Sequence, residues 1–321
     1  MNLFVTGGAG YIGSVCVEEL LNAGHTVTVL DNLSEGHRAA VDPRARFVQA
    51  DLSDARRVAE SISGCEAVLH FAANALVGES MSNPGKYFRN NVAHGLNLLE
   101  AAVQSKIRKF VFSSSCAVYG IPDRDPIEED LPLNPVNPYG ESKRMFESIL
   151  QWYHRIHGLE FVALRYFNAA GASGRFGEHH RIETHLIPNL LKVALGQSPQ
   201  GELYGTDYPT PDGTCIRDYI HVIDLAQAHR LALAPGKVGF FNLGNGSGHS
   251  VLEVIQSCEK ISGKRIQVVE KPRRNGDPPR LVASAAKAIA ELGWKPEYPQ
   301  LDDIVRTAWN WHQRHPRGFP D

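Results

Sequence analysis

No apolar run in the 321 residues approaches the ~20 that a helix needs to cross a bilayer, so no membrane span is expected. An excess of one charge is also missing. Lys plus Arg number 33 and Asp plus Glu 35, a net charge of −2, and basic residues gather only in short clusters such as Lys271–Arg274. Proteins that grip nucleic acid through its phosphates carry a basic surplus, so no nucleic-acid partner is expected. Cysteine is sparse and odd in number: Cys16, Cys65, Cys116, Cys215 and Cys258 are scattered, with no CxxC pair. That argues against a disulfide framework or a thiolate zinc centre and fits a reducing cytoplasm. Met1–Thr6 runs directly into a strand-like segment with no charged and apolar leader before it, so a cytoplasmic location is expected. Neither a GxSxG elbow nor a GxxxxGK[ST] loop occurs, which leaves hydrolase and P-loop chemistry without support.

What is present is ordinary globular material, 43% hydrophobic and 21% charged, enough for one large or two modest domains. Short apolar runs at Leu3–Thr6, Thr26–Leu30, Arg46–Ala50, Ala67–Phe71, Lys109–Ser113 and Phe161–Arg165 read as strands covered on both faces. Helical patterns lie between them at Tyr11–Ala23, Ala55–Ile62, Pro84–Gln104 and Tyr139–His157. Strand alternating with helix predicts an α/β fold, a doubly wound parallel sheet with right-handed crossovers. After Asn168 the rhythm breaks. Gly, Pro and His accumulate in Gly171–His185 and Thr206–Thr214, with helices expected at Leu186–Leu195, Ile223–Ala234, Ser284–Trp294 and Leu301–His312. The predicted division is a cofactor domain over 1–168 and a smaller C-terminal α/β substrate domain over 169–321, with the chain returning to the first around 217–235. Ligands then sit beyond the carboxyl ends of the strands.

Gly7, Gly10 and Gly13 follow the first strand and open the first helix with the spacing GxxGxxG. Glycine permits the tight turn and lets a pyrophosphate approach the backbone, while the helix N-terminus offers free N–H groups and partial positive charge. In this setting the sheet reads as Rossmann-like. Asp31 follows the second strand directly, where a carboxylate can accept both hydroxyls of an adenosine ribose and repel a 2′-phosphate, so NAD is favoured over NADP. Asp51, at the end of the third strand, is similarly placed for the adenine.

Of ten tyrosines, only Tyr139 has a lysine four residues on, Lys143. At that spacing the two side chains share a helix face. A free phenol has a pKa near ~10, and two nearby cations, the ammonium and an oxidised nicotinamide, would favour phenolate. A lone Tyr-x-x-x-Lys is also an ordinary feature of an amphipathic helix. The serine run Ser113–Ser115, at the carboxyl end of the fifth strand, changes the reading, because a hydroxyl there can relay a substrate proton to Tyr139.

Together these residues resemble the extended short-chain dehydrogenase/reductase family, and within it the nucleotide-sugar 4-epimerases. The resemblance spans nearly the whole chain: Thr6–Ser14, Asp31–Leu33, His70–Ala72, Phe112–Gly120, Tyr139–Lys143, Leu164–Asn168, Tyr204–Val222 and Arg273–Asp277. It implies inversion at C4 of a UDP-sugar through a 4-keto intermediate, with tightly bound NAD. It also implies that Tyr139 is the base, that Lys143 holds the nicotinamide ribose and that Ser115 contacts the sugar hydroxyl. Gly7, Gly10, Tyr11, Ile12, Gly13, Asp31, Asn32, Leu33, Ser34, Gly36, Asp51, Leu52, Phe71, Ala72, Ala73, Asn90, Ser113 and Phe167 would line the cofactor, with Tyr139 and Lys143. Asn168, His185, Leu186, Glu202, Tyr204, Arg217 and Asp277 would hold the UDP-sugar, with Ser115 and Tyr139. A guanidinium fork at Arg217 suits a diphosphate.

Three departures from the family pattern stand out. Ala75 occupies the place of a common lysine, His185 that of an asparagine in some relatives, and Leu281 a position that gates the sugar's 2′ substituent. A leucine there leaves N-acetylated sugars or pentoses as alternative substrates. A dehydratase would need a carboxylate pair beside the serine, and Ser114–Ala117 has none. A non-catalytic NAD-binding sensor or scaffold is the rival from another class, though such proteins tend to lose the tyrosine–lysine pair. Wide apolar arcs on both long helices (Met145, Phe146, Ile149, Leu150, Trp152, Tyr153 and Ile156; Leu96, Leu98, Leu99 and Val103) predict a homodimer through 84–104 and 139–157. His179, His180, Glu183 and His185 lack the HExxH order and read as a loop or phosphate neighbour, so no metal is expected.

Overall fold

Strand β1 (Asn2–Thr6) sends Leu3 and Val5 into one core and Phe4 into another. Period-two geometry requires this of a strand buried on both faces. The computed structural model describes residues 1–274 and 277–320. The chain continues through α1 (Tyr11–Asn22), β2 (Thr26–Asp31), β3 (Arg46–Gln49), α2 (Ala55–Ile62), β4 (Ala67–His70), α3 (Val77–Ser82), α4 (Pro84–Tyr87) and α5 (Gly95–Gln104). Then come β5 (Lys109–Ser115), α6 (Pro138–His157), β6 (Glu160–Tyr166), β7 (Asn168–Ala170), α7 (Leu186–Ala194), β8 (Gly201–Tyr204) and β9 (Ile216–His221). The last elements are α8 (Val222–Leu231), β10 (Gly239–Leu243), β11 (Gly248–Ser250), α9 (Val251–Ser262), β12 (Val268–Lys271), β13 (Arg280–Leu281) and α10 (Leu301–Arg314).

Seven strands form one parallel sheet in the order β10-β6-β5-β4-β1-β2-β3. The order reverses between β1 and β4, so a crevice opens at that switch point beyond their carboxyl ends. Helices α1 and α8 cover one face through Val15, Leu20, Leu225 and Ala226. On the other face α2, α5 and α6 bury Val58, Ile62, Leu98, Phe146 and Leu150. Beside the sheet, β9 pairs with β7, β11 and β13, β8 with β12, and α7, α9 and α10 close over a core of their own.

One polar contact is sealed inside this framework. Arg165 of β6 and Glu147 of α6 are 2% and 1% exposed and join in a two-pronged ion pair, at 2.9 Å from Nε and 2.6 Å from Nη2. Ser114 Oγ donates to Glu147 at 2.6 Å, and Arg165 Nη1 donates to the Tyr119 hydroxyl at 2.9 Å. Tyr119 passes the chain on to Asn242 of β10 at 2.7 Å. Every polar group of the pair has a partner, which lets charge exist there.

The six expected strands and four N-terminal helices are all present, with corrected ends. β5 runs two residues past Ser113, because Ser114 and Ser115 still pair with Arg165 and Tyr166. The single helix expected over Pro84–Gln104 contains a π-helical stretch, Phe88–His94, between α4 and α5. The stretch expected as a helix over Ser284–Trp294 is helical only at 286–292, ending in the π turn Ala288–Leu292. The chain's return to the sheet reaches past 235 to β10, whose glycine-flanked Phe240 and Phe241 are stabilised by pairing with β6. Helix α9 was not expected, although Ser250 and Glu253 form a capping box and Gly263 ends it in the left-handed region.

Breaking the sealed ion pair leaves Arg165 charged and unpaired. We expect Glu147→Leu to lose about 3–5 kcal/mol in urea unfolding, and Glu147→Leu with Arg165→Met to recover part of it.

Candidate functional site

The glycine turn after β1 is built for close approach. Gly7 has φ +74°, and a Cβ there would lie 2.5 Å from the backbone nitrogen of Ala72, which follows β4. Gly10 caps α1 with no side chain bonded to the helix end, and Gly13 lies in the first turn. The first N–H groups of α1 therefore face the crevice uncapped, as an anion requires. Tyr11 turns away and donates its hydroxyl to Gly171 O at 2.7 Å, pinning the turn to the chain after β7.

Asp31 ends β2 with its carboxylate accepting N–H groups from Ala9 (3.0 Å) and Leu33 (2.8 Å). Burial pushes its pKa up while these bonds hold it down. Each oxygen keeps lone pairs for a further donor. Asn32 donates to Asp51 at 2.6 Å, so the two acidic strand ends are joined. Beside them a cavity of about 480 Å³ is lined by Asn32, Ser34, Asn74, Lys86, Arg89 and Asn90. Ala75, next to Asn74, is exposed; of the two basic residues in the lining, Lys86 is ion-paired with Glu79 at 2.8 Å and Arg89 is exposed. Phe71 directs its ring at His229 (4.6 Å), and Leu52 is core, so these two present backbone rather than side chain to the crevice. Ala73 and Ile12 are half-buried there, and Gly36 accepts a bond from Arg181 at 3.3 Å.

Helix α6 brings Tyr139, Lys143 and Glu147 onto one face at i, i+4 and i+8. Asn137 caps it by accepting from Gly140 N at 2.8 Å, with Pro138 in the first turn. Gly140 is required by close packing, since a Cβ would sit 2.4 Å from the Ala117 carbonyl. That approach sets Tyr139 beside the turn Cys116–Val118 and the Ser115 hydroxyl. Ser115 Oγ accepts from Ala117 N at 3.2 Å, which leaves its own proton to donate outward. Of the three serines it is the one that meets Tyr139, whereas Ser113 pairs with the Tyr166 hydroxyl and Ser114 with Glu147.

Lys143 is buried, donates to Ser113 O at 2.7 Å and lies 5.8 Å from the Tyr139 ring centre. Burial pushes its amine down to about 7, against Glu147. Burial also pushes the half-buried Tyr139 phenol up to about 12, with the Ser115 hydroxyl opposing. In the ligand-free cleft the phenol is thus neutral, and the acidification expected from sequence involves the nicotinamide cation as well as the lysine. Beneath the pair, buried His70 shares a 2.7 Å hydrogen bond with Thr6 and is pushed down to about 3 by burial and by Lys143. Burial likewise lifts the Cys116 thiol to about 12, so it stays a neutral thiol.

On the substrate side, Arg217 of β9 forms an ion pair with Asp277, and Arg274 stacks 4.0 Å over the Tyr204 ring. Tyr204 hydrogen-bonds Glu202. Residues 275 and 276 of the Arg274–Asp277 motif lie outside the described residues. Leu281 pairs with Arg217 across β13 and β9, and packs half-buried against the cluster of Val118, Tyr119 and Phe167. Asn168 opens β7, and Leu186 opens α7 directly after His185. His179 does not join the other histidines but stacks on His37 at 4.4 Å, under Phe319.

Several supporting residues were missed by sequence reasoning. Glu147 is one, although its spacing from Lys143 repeats that of Lys143 from Tyr139. Asn91 is another. It bonds Asn74 through both N–H and carbonyl (2.8 and 3.0 Å) and Ser142 Oγ (3.0 Å), and no local pattern marks it because a π turn carries it.

A switch-point crevice with a glycine turn, an acidic β2 end and a Tyr–Lys pair beside a serine defines an NAD-linked oxidoreductase-type α/β enzyme. The pattern of the NAD dependent epimerase/dehydratase family matches residues 3–244. The UDP-glucose 4-epimerase of Lacticaseibacillus casei is 51% identical over 329 residues, covering 100% of this chain and 99% of that one. A crystal structure of a UDP-glucose 4-epimerase superposes with TM-score 0.97 at 47% identity, over 100% of both chains. The Bifidobacterium longum UDP-glucose 4-epimerase, solved with NAD+ and UDP, gives 0.95 at 39% identity, over 99% of this chain and 100% of that one. The chain belongs to the NAD dependent epimerase/dehydratase family.

The Lys143 amine titrates near 7 in the fold and near ~10.4 when unfolded. Between those values the unfolded chain holds a proton that the folded chain lacks, so stability rises with pH; below about 7 both forms are charged and this contribution is flat. We expect Lys143→Met in the ligand-free protein to remove up to ~1.4 kcal/mol per pH unit from the slope of unfolding free energy across that window.

Proposed function

We propose that the chain interconverts UDP-glucose and UDP-galactose by inversion at C4, through a 4-keto sugar. The observation that carries this reading is the hydrogen bond between the Tyr139 and Ser115 hydroxyls at the carboxyl end of β5. The similarity over full length to UDP-glucose 4-epimerases supports it.

Tyr139 takes the proton of the 4′-hydroxyl, directly or through Ser115 Oγ, and returns it after the sugar has turned over. NAD, when bound, supplies the acceptor and donor for the C4 hydrogen and a positive charge beside the phenol. The uncapped α1 N-terminus, the Gly7 cradle and Asp31 suit its pyrophosphate and ribose. Lys143, anchored to Ser113 O, holds the nicotinamide ribose. Arg217 reaches the UDP diphosphate once Asp277 turns to the uridine ribose, with Tyr204, Glu202, Asn168, His185 and Leu186 around the nucleotide. The UDP is gripped firmly and the sugar loosely, so that the 4-keto sugar can present its other face. In this scheme the sheet, with α8 and β10, is the cofactor unit, and the rest of 169–321 is the substrate unit. Among the described residues no helix is long and apolar enough to cross a membrane, and we place the protein in the cytoplasm.

Met145, Trp152 and Ile156 stay exposed on one face of α6, while Phe146 and Leu150 are core. We assign this face, with α5, to a homodimer. Trp152→Glu is expected to shift the sedimenting species at micromolar concentration from dimer to monomer; a wild-type protein that sediments only as a single chain refutes the dimer.

Denaturing the purified protein should release NAD, and the intact protein should interconvert UDP-galactose and UDP-glucose. Tyr139→Phe is expected to cut kcat by about 10²–10⁴-fold with little change in KM. Substantially unchanged turnover would remove Tyr139 as the base.

A further inference from the structure

The segment that reads in sequence as a loop or phosphate neighbour brings four metal-ligating side chains together. One donor atom each from Glu178, His180, Glu183 and His185 lies within 4.8 Å of the others. His180 Nδ1 is 3.4 Å from Glu178 Oε1 and 3.3 Å from Glu183 Oε2. His185 meets Glu178 through its ring nitrogen, and its backbone N–H donates to Glu183 Oε1 at 2.8 Å. The two imidazoles stand at 89° with centroids 5.0 Å apart. A tetrahedral ion with bonds of ~2.0–2.1 Å spaces its ligand atoms about 3.3 Å apart, a spacing that the two His180 contacts match.

We propose that these four residues form a divalent transition-metal site, best suited to Zn(II). Two carboxylates and two neutral imidazoles balance a dication. The Glu178 and Glu183 side chains are only 5% and 4% exposed, and buried carboxylates require a cation or a close set of donors. Mixed nitrogen and oxygen ligands select zinc-like ions over calcium or magnesium. Four protein ligands close the coordination sphere, so the role is structural. The ion would tie the loop that carries Arg181, bonded to the carbonyls of Leu33 and Gly36 at 3.3 Å, to the start of α7 at Leu186. It also lies against the Tyr11 ring, whose centroid is 6.2 Å from that of His180.

The test uses the untagged full-length protein. As purified without chelators, elemental analysis should give about one zinc-like metal per chain. After stripping with EDTA, Co(II) should produce the visible bands of four-coordinate cobalt. Saturating Zn(II) should raise Tm by about 3 °C or more. His180→Ala, His185→Ala and the size-preserving Glu183→Gln should each abolish the cobalt bands while far-ultraviolet dichroism stays native. If a variant fails to fold, the wild-type cobalt spectrum and Tm decide alone. Stripped wild-type protein with neither bands nor a Zn(II)-dependent Tm overturns the proposal and leaves protonated histidines as the counter-ions. Cobalt bands that persist unchanged in both histidine variants overturn it as well.

Discussion

Glu147 and Arg165 meet out of solvent, and the groups to which we assign the reaction take their places from that contact. The carboxylate belongs to α6 and the guanidinium to β6, so the bond fixes how far along the sheet the helix sits. Lys143 and Tyr139 are one and two turns up the same helix face. Ser114 closes the network from β5, and its neighbour Ser115 is thereby aimed at the phenol. The interaction costs desolvation and yields position. An apolar pair of equal volume would hold the helix without choosing its register so narrowly.

The chemistry rests on a second balance. Burial moves the Tyr139 phenol and the Lys143 amine in opposite directions, both toward neutrality. Whatever cation enters beside the phenol acts in a medium of low polarity, where one charge has a large effect. The protein supplies geometry and dryness, and the dinucleotide supplies the missing charge.

Much of this was legible in the sequence, for identifiable reasons. The sheet shows itself because β1, β2, β4 and β5 are doubly covered and so read as unbroken apolar runs. The glycine turn, Asp31 and the Tyr139–Lys143 pair show themselves because each depends on local spacing. What stayed hidden depends on distance in sequence. Glu147 finds its partner 18 residues away, and the short strands β7, β11 and β13 exist through pairing with β9 rather than through their own propensity. The grouping of Glu178 with His180, Glu183 and His185 follows from the folding of a glycine-rich loop that no periodicity describes.

Strand β9 has a consequence for how the nucleotide side can change. Its register sets Tyr219 opposite Asn168, Arg217 opposite both His249 and Leu281, and Asp218 opposite Gly248. Three neighbouring segments therefore read their alignment from six residues. A slip of one position would swap inward for outward side chains along the whole ladder. Arg217 and its ladder partners are geared to a common shaft, so divergence along it proceeds by side-chain exchange at fixed backbone, with insertions accommodated in the connections outside it.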